Sequence, residues 1–165
     1  EAIRRMPDIF YKRNRSLEDA FEEFALYSIA KPKYVRPPGV RGFYSPEARQ
    51  HVVPDSVDRK IYFGAVPGSR GLKLIYRNYY PGTFIDAKSG RSRISLSSGG
   101  SGRQTLGYID YLGRESRIGR EALSTPELWF PTVADTVISN NTVAKANGYG
   151  VEINQHIVVN IISKI

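Results

Sequence analysis

Apolar positions recur along this chain in two rhythms, and the changes from one to the other mark out its elements. Leu17, Ala20, Phe21, Phe24 and Ala25 fall at i, i+3, i+4, i+7 and i+8, the period of one helix face, and predict an amphipathic helix over 17–30. Ser16 stands before it as an N-cap, with Asp19 three residues on as a capping-box variant. Glu18, Asp19, Glu22 and Glu23 crowd the first two turns, where the helix dipole favours acids. Lys31-Pro32 ends the pattern, and the Pro- and Gly-rich stretch over 32–54 reads as a long loop with a short turn of helix near 46–50. The rhythm then shortens to two. Residues 59–66, 72–79 and 83–88 predict three strands, separated by Pro67-Gly68-Ser69-Arg70-Gly71 and by Pro81-Gly82. Ile94-Ser95-Leu96 alternates briefly, and 97–102, all Ser and Gly, reads as a flexible loop. Leu106, Tyr108, Ile109 and Leu112 restore the helical period over 104–117. A buried strand over 128–138, a short helix over 140–147 stopped by Gly148, and a last strand over 151–162 complete the order. Helix, strands, helix, strand, helix, strand predicts an α/β or α+β fold: one domain over 1–165 with a basic lead-in at 1–15, and a central mixed sheet flanked by helices.

Composition narrows the function. The chain has 165 residues, 41% of them hydrophobic, enough for a buried core and too apolar for wholesale disorder. Its longest apolar runs, such as Ile157-Val158-Val159, are far below the roughly 20 residues of a membrane span, so no membrane span is expected. With no cysteine, a disulfide scaffold, a thiolate zinc site and a cysteine nucleophile are all excluded. The net charge is +8, and it is unevenly placed. Between Arg59 and Arg120 twelve Lys and Arg face three acids, whereas 121–165 holds two lysines and four acids. A one-signed middle of this kind suits a polyanion, because each phosphate it neutralises releases condensed counterions.

Within that basic stretch lies Thr83-Phe84-Ile85-Asp86-Ala87-Lys88-Ser89-Gly90. On an extended strand Asp86 and Lys88 point to one face and Ile85 and Ala87 to the other. An Asp-x-Lys triplet alone usually marks an exposed ion pair, but here it ends a strand with one polar and one apolar side. The carboxylate can hold a divalent cation, and the lysine can orient or deprotonate a water or stabilise charge on a scissile phosphate. A second carboxylate is needed. Asp55, in Val53-Pro54-Asp55 before the first strand, is the leading candidate and Asp58 the second. Oxygen ligands of this sort suit Mg²⁺ first, then Mn²⁺, with Zn²⁺ as a further candidate.

The Pro-Asp pair, the strand ending in Asp-x-Lys and the following helix opening on Arg103-Gln104 together resemble the PD-(D/E)xK restriction-endonuclease-like superfamily, over roughly 17–162 in element order. The resemblance implies a restriction-endonuclease-like fold and a metal-dependent nuclease. Asp55 would be the first acid, Asp86 the second and Lys88 the lysine. Glu22, or Glu18, on the first helix would complete the metal site, and Gln104 would stand near the phosphate. Gln104 to Asp110, Asp135 to Asn140 and Gly150-Val151-Glu152-Ile153 also resemble C-terminal toxin domains of bacterial contact-dependent and polymorphic systems. That likeness implies a secreted or surface-delivered fragment acting on DNA or tRNA in the target-cell cytoplasm, with a cognate immunity protein as partner. The opening Glu1-Ala2-Ile3, without Met, reads as a piece of something longer.

Two other readings belong beside this one. A metal-independent ribonuclease would use His51, Arg41 and Tyr44 as base and phosphate clamps. A non-catalytic module would bind nucleic acid through its charge, with Tyr76, Tyr79 and Tyr80 stacking on unpaired bases. His156 and Trp129 read as packing or surface residues, and 97–102 lacks the Gly-Lys-Ser/Thr ending of a P-loop.

Overall fold

The computed structural model of the chain describes residues 16–30, 42–71, 73–90, 93–96, 100–115, 117–118, 121–122 and 125–160. The basic lead-in at 1–15, Arg41 and the 97–99 part of the Ser/Gly run lie outside them. Among the described residues the architecture is mixed α and β, with three α-helices and a mixed four-stranded sheet whose strands lie in the order 152–159, 127–133, 73–85 and 56–67.

Helix α1 runs Leu17–Ala30, as its period predicts. Ser16 caps it, its hydroxyl accepting the Asp19 N–H at 3.1 Å. Ala20, Phe21 and Ala25 are fully buried with Val133, Val158 and Val159, and Phe24 packs beside them. Leu17, on the same nominal face, is exposed.

The stretch read as a loop contains a hairpin instead. Strands β1 (Phe43–Ser45) and β2 (Gln50–Val52) pair antiparallel around a turn at 46–49, where a turn of helix was expected. Three-residue strands are too short for alternation to register, and this hairpin is held from outside. Val52 packs so closely on helix α2 (Gly100–Glu115) that a Cβ at Gly107 would come 2.5 Å from Val52 Cγ1. Only glycine allows that approach.

Strand β3 (Ser56–Pro67) pairs antiparallel with β4 (Lys73–Ile85) across a tight turn in which Arg70 and Gly71 take positive φ. Two strands were expected where β4 runs unbroken through Pro81-Gly82. Thr83 lies opposite Asp58 and Pro81 opposite Arg59, so Gly82 is the extra residue of a bulge. A proline without an N–H is tolerated where the ladder is already interrupted. The bulge also sharpens local twist just before the Asp-x-Lys segment.

Short β5 (Arg93–Ile94) precedes α2, which opens inside the Ser/Gly run, four residues before its expected start. After α2 come the two-residue strands β6 (Arg117–Ile118) and β7 (Glu121–Ala122), which pair antiparallel. The apolar stretch expected as one strand over 128–138 splits into β8 (Glu127–Val133), a turn, and β9 (Val137–Ile138), which pairs with β5. Helix α3 (Asn140–Gly148) is capped by Ser139, and β10 (Glu152–Val159) closes the sheet parallel to β8. The main core lies between sheet and α2. Phe84, Leu128 and Phe130 of the sheet meet Tyr108, Ile109 and Leu112 of the helix. Each such burial contributes roughly 1.5–3 kcal/mol.

Candidate active site

Strand β4, an interior strand of the sheet, delivers the Asp-x-Lys segment and ends at Ile85. Beyond it the backbone still follows β8. The Asp86 N–H donates to the Trp129 carbonyl at 3.0 Å and the Lys88 N–H to the Pro131 carbonyl at 2.9 Å. The segment is thus fixed by its neighbour strand, and the side chains keep the alternation. Ala87 packs into the α1 cluster, whereas Asp86 meets α2.

Asp86 is 3% exposed. Its Oδ1 lies 3.2 Å from the Tyr108 hydroxyl, and its Oδ2 lies 2.8 Å from Lys88 Nζ. That second contact is an ion pair without hydrogen-bond geometry, so Oδ2 has a counter-charge but no aligned donor. A buried carboxylate oxygen in that state is costly unless something else completes it.

Asp55 reaches the same place from the segment before β3. Its Oδ2 accepts the Ala87 N–H at 2.7 Å, which brings the Asp55 carboxylate onto the residue that follows Asp86. Of the two acids considered for this role, Asp55 is bonded to the Asp-x-Lys segment. Asp58 pairs with Thr83 inside the β3–β4 ladder. Burial pushes the Asp55 carboxyl up, to about 8, and the charges of Asp86 and Glu22 push the same way. The Ala87 N–H and Lys88 oppose them without prevailing. Glu22 of α1 therefore contributes charge at the site, whereas Glu18 is exposed on the first turn.

Helix α2 supplies two more groups, one of which the sequence did not mark. Gln104 Nε2 donates to the Val53 carbonyl over a long 3.4 Å. The Tyr108 hydroxyl lies 3.0 Å from the same carbonyl, as well as against Asp86. Burial and the surrounding acids push the Tyr108 hydroxyl far up, so it stays neutral. Its ring is held edge-on to Phe84 at 5.7 Å, inside an aromatic cluster with Phe43 and Tyr111. Tyr108 showed in the sequence only as one more apolar position on a helix face.

Three carboxylates and one ammonium thus gather at the end of β4, and with every acid ionised the three negative charges against one positive leave a formal charge of −2. Among the described residues no set of three or more His, Cys, Asp or Glu groups forms a ready-made metal cage. Two carboxylates with the remaining positions open is the donor set of cations that keep waters and take phosphate oxygens. The buried Asp86 Oδ2, with no aligned donor, and the neighbouring Asp55 carboxyl are oxygen donors of the kind such a cation takes.

Other features stand apart. A cavity of about 480 Å³ is lined by Arg93, Ser95, Leu96, Ser139 and Asn141, with none of the acids on its wall. Tyr44 and His51 face each other across the hairpin with rings 5.1 Å apart, and both are exposed. His156 is exposed on β10, opposite Pro131. Among the described residues no helix is long and apolar enough to cross a membrane.

No family model matches the chain, and no curated protein or solved structure matches it significantly.

Proposed function

We propose that this protein is a metal-dependent endonuclease of restriction-endonuclease-like type, acting on DNA or tRNA. The observation that carries the reading is the meeting of Asp55, Asp86 and Lys88 at one strand end, with an excess of negative charge there inside a chain of net charge +8. A basic protein that concentrates acids at one partly buried point is equipped to hold a cation against a polyanion. Asp55 and Asp86, with Glu22 behind them, would hold Mg²⁺ or Mn²⁺, and such an ion supplies an acidified water and charge neutralisation at phosphate. Lys88 presents an ammonium beside Asp86, where it can orient the attacking water and offset charge on the phosphate. Gln104 bonds the Val53 carbonyl in the segment leading to Asp55, and the Tyr108 hydroxyl lies between that carbonyl and Asp86. The likeness of the C-terminal half to delivered bacterial toxin domains supports a toxin fragment working in a target-cell cytoplasm and neutralised by an immunity protein.

The test is incubation with plasmid and total tRNA, in Mg²⁺ or Mn²⁺ and in excess EDTA. Cleavage of at least one substrate that EDTA abolishes is the expected result. No cleavage under any metal, or full activity in Asp86→Ala, would overturn it. One observation favours a second reading: the exposed Tyr44–His51 contact brings together two residues of a metal-independent ribonuclease. Cleavage of tRNA that persists in EDTA and is lost in His51→Ala would select that reading.

A further inference from the structure

The Tyr108 hydroxyl carries one proton and faces two acceptors, the Val53 carbonyl at 3.0 Å and Asp86 Oδ1 at 3.2 Å. It cannot satisfy both at once. Gln104 Nε2 also reaches the Val53 carbonyl, which gives that oxygen a second donor and leaves the tyrosine proton for the carboxylate. The hydroxyl oxygen is itself anchored, because its ring is fully buried against Phe84 on a helix that closes tightly onto β2. Bonding Oδ1 back toward the helix leaves Oδ2 as the oxygen with no aligned donor, beside Lys88. The same hydroxyl touches the segment that leads through Pro54 to Asp55, so one group spans the approaches to both aspartates.

From this geometry we infer that Tyr108 is the positioning residue of the acidic site. It fixes the rotation of the Asp86 carboxylate so that Oδ2 is presented to a divalent cation. The inference rests on the metal-dependent reading of the site. A partner that orients a ligand without touching the metal is worth about 10- to 100-fold in metal affinity or activity.

The experiment is calorimetric titration of Mn²⁺ into the whole chain, as wild type, Tyr108→Phe and Tyr149→Phe, with circular dichroism on each. Tyr108→Phe keeps the buried ring and removes only the hydroxyl. Its Mn²⁺ dissociation constant should rise about 10- to 100-fold with secondary structure unchanged, and the Mg²⁺ midpoint for cleavage should rise with it. Tyr149→Phe removes a hydroxyl bonded to Glu47, away from Asp86, and should leave Mn²⁺ affinity unchanged. Wild-type affinity in Tyr108→Phe, with wild type binding Mn²⁺ and cleaving, overturns this inference alone. Wild type that neither binds Mn²⁺ nor cleaves overturns the metal-dependent reading and this inference with it. If Tyr108→Phe does not fold, Gln104→Met asks the same question. It frees the Val53 carbonyl to draw the tyrosine proton from Asp86, and it should weaken Mn²⁺ binding by a smaller factor; unchanged affinity overturns the inference.

Discussion

Asp86, which meets helix α2, and Asp110, which sits on it, are buried to nearly the same degree, 3% and 4% exposed, yet their surroundings are opposite. Asp110 is completed by the protein. Its Oδ2 accepts the Ser45 hydroxyl at 2.6 Å and the Glu47 N–H at 3.3 Å, and Arg114 Nε donates to its Oδ1 at 3.0 Å. Burial would raise its carboxyl, but the bonds from Ser45 and Arg114 outweigh it and hold the group below the usual range. Asp86 has one shared hydroxyl, one ammonium without hydrogen-bond alignment, and a second acid as neighbour. The protein completes one aspartate with aligned donors and leaves the other with a buried oxygen that has none. Burial alone does not separate structural from functional carboxylates; the count of donors aimed at them does.

Substitutions can break this contrast, and the largest effect is expected on catalysis. Lys88→Ala should lower cleavage about 100-fold or more while the chain stays folded, read by plasmid or tRNA cleavage beside a thermal melt. Asp110→Ala should do the reverse. It strands the Ser45 hydroxyl and the Glu47 N–H and releases Arg114, costing about 2–3 kcal/mol in denaturant unfolding, with metal dependence of cleavage unaltered.

A pH experiment sharpens the comparison. In metal-free protein the folded Asp55 keeps a proton up to about pH 8, whereas the unfolded chain releases it near the ordinary aspartate value of 3.8. The folded state therefore binds more protons between those limits. Its stability from this group is full below pH 4 and is lost as pH rises through 8. Asp55→Asn removes that loss, so the variant should gain on wild type by about 1–3 kcal/mol at pH 8.5 and not at pH 4, as urea unfolding in EDTA would show. Asp110 runs the other way, contributing above the carboxylate range and losing its contribution as acid protonates it. The smallest effect, about 1 kcal/mol, is expected for Ser16→Ala, which removes the cap of α1 and touches neither aspartate.

What was legible in the chain follows from how local its cause is. Helices α1 and α3 and the polar-apolar alternation of Asp86-Ala87-Lys88 depend on neighbours a few residues away, and their patterns show them. Asp55 was legible as a candidate, but its bond to Ala87 spans 32 residues, which no local pattern specifies. The hairpin at 43–52 was hidden because its strands are short and its register is imposed by contacts with α2, including a Ser45–Asp110 bond across 65 residues. Pro81-Gly82 read as a turn because its composition is that of one; opposite β3 it becomes a bulge. Tyr108 was hidden for a different reason. A tyrosine on an apolar helix face reads as core, and its ring is core; only the packing of α2 against β4 brings the hydroxyl onto Asp86.

The contrast reduces to one paired measurement: cleavage of plasmid and total tRNA in Mg²⁺ by Asp86→Asn and Asp110→Asn, each at a temperature where it is folded. Asp86→Asn should be folded and inactive, and Asp110→Asn should be less stable and active. Wild-type cleavage by folded Asp86→Asn would contradict the account.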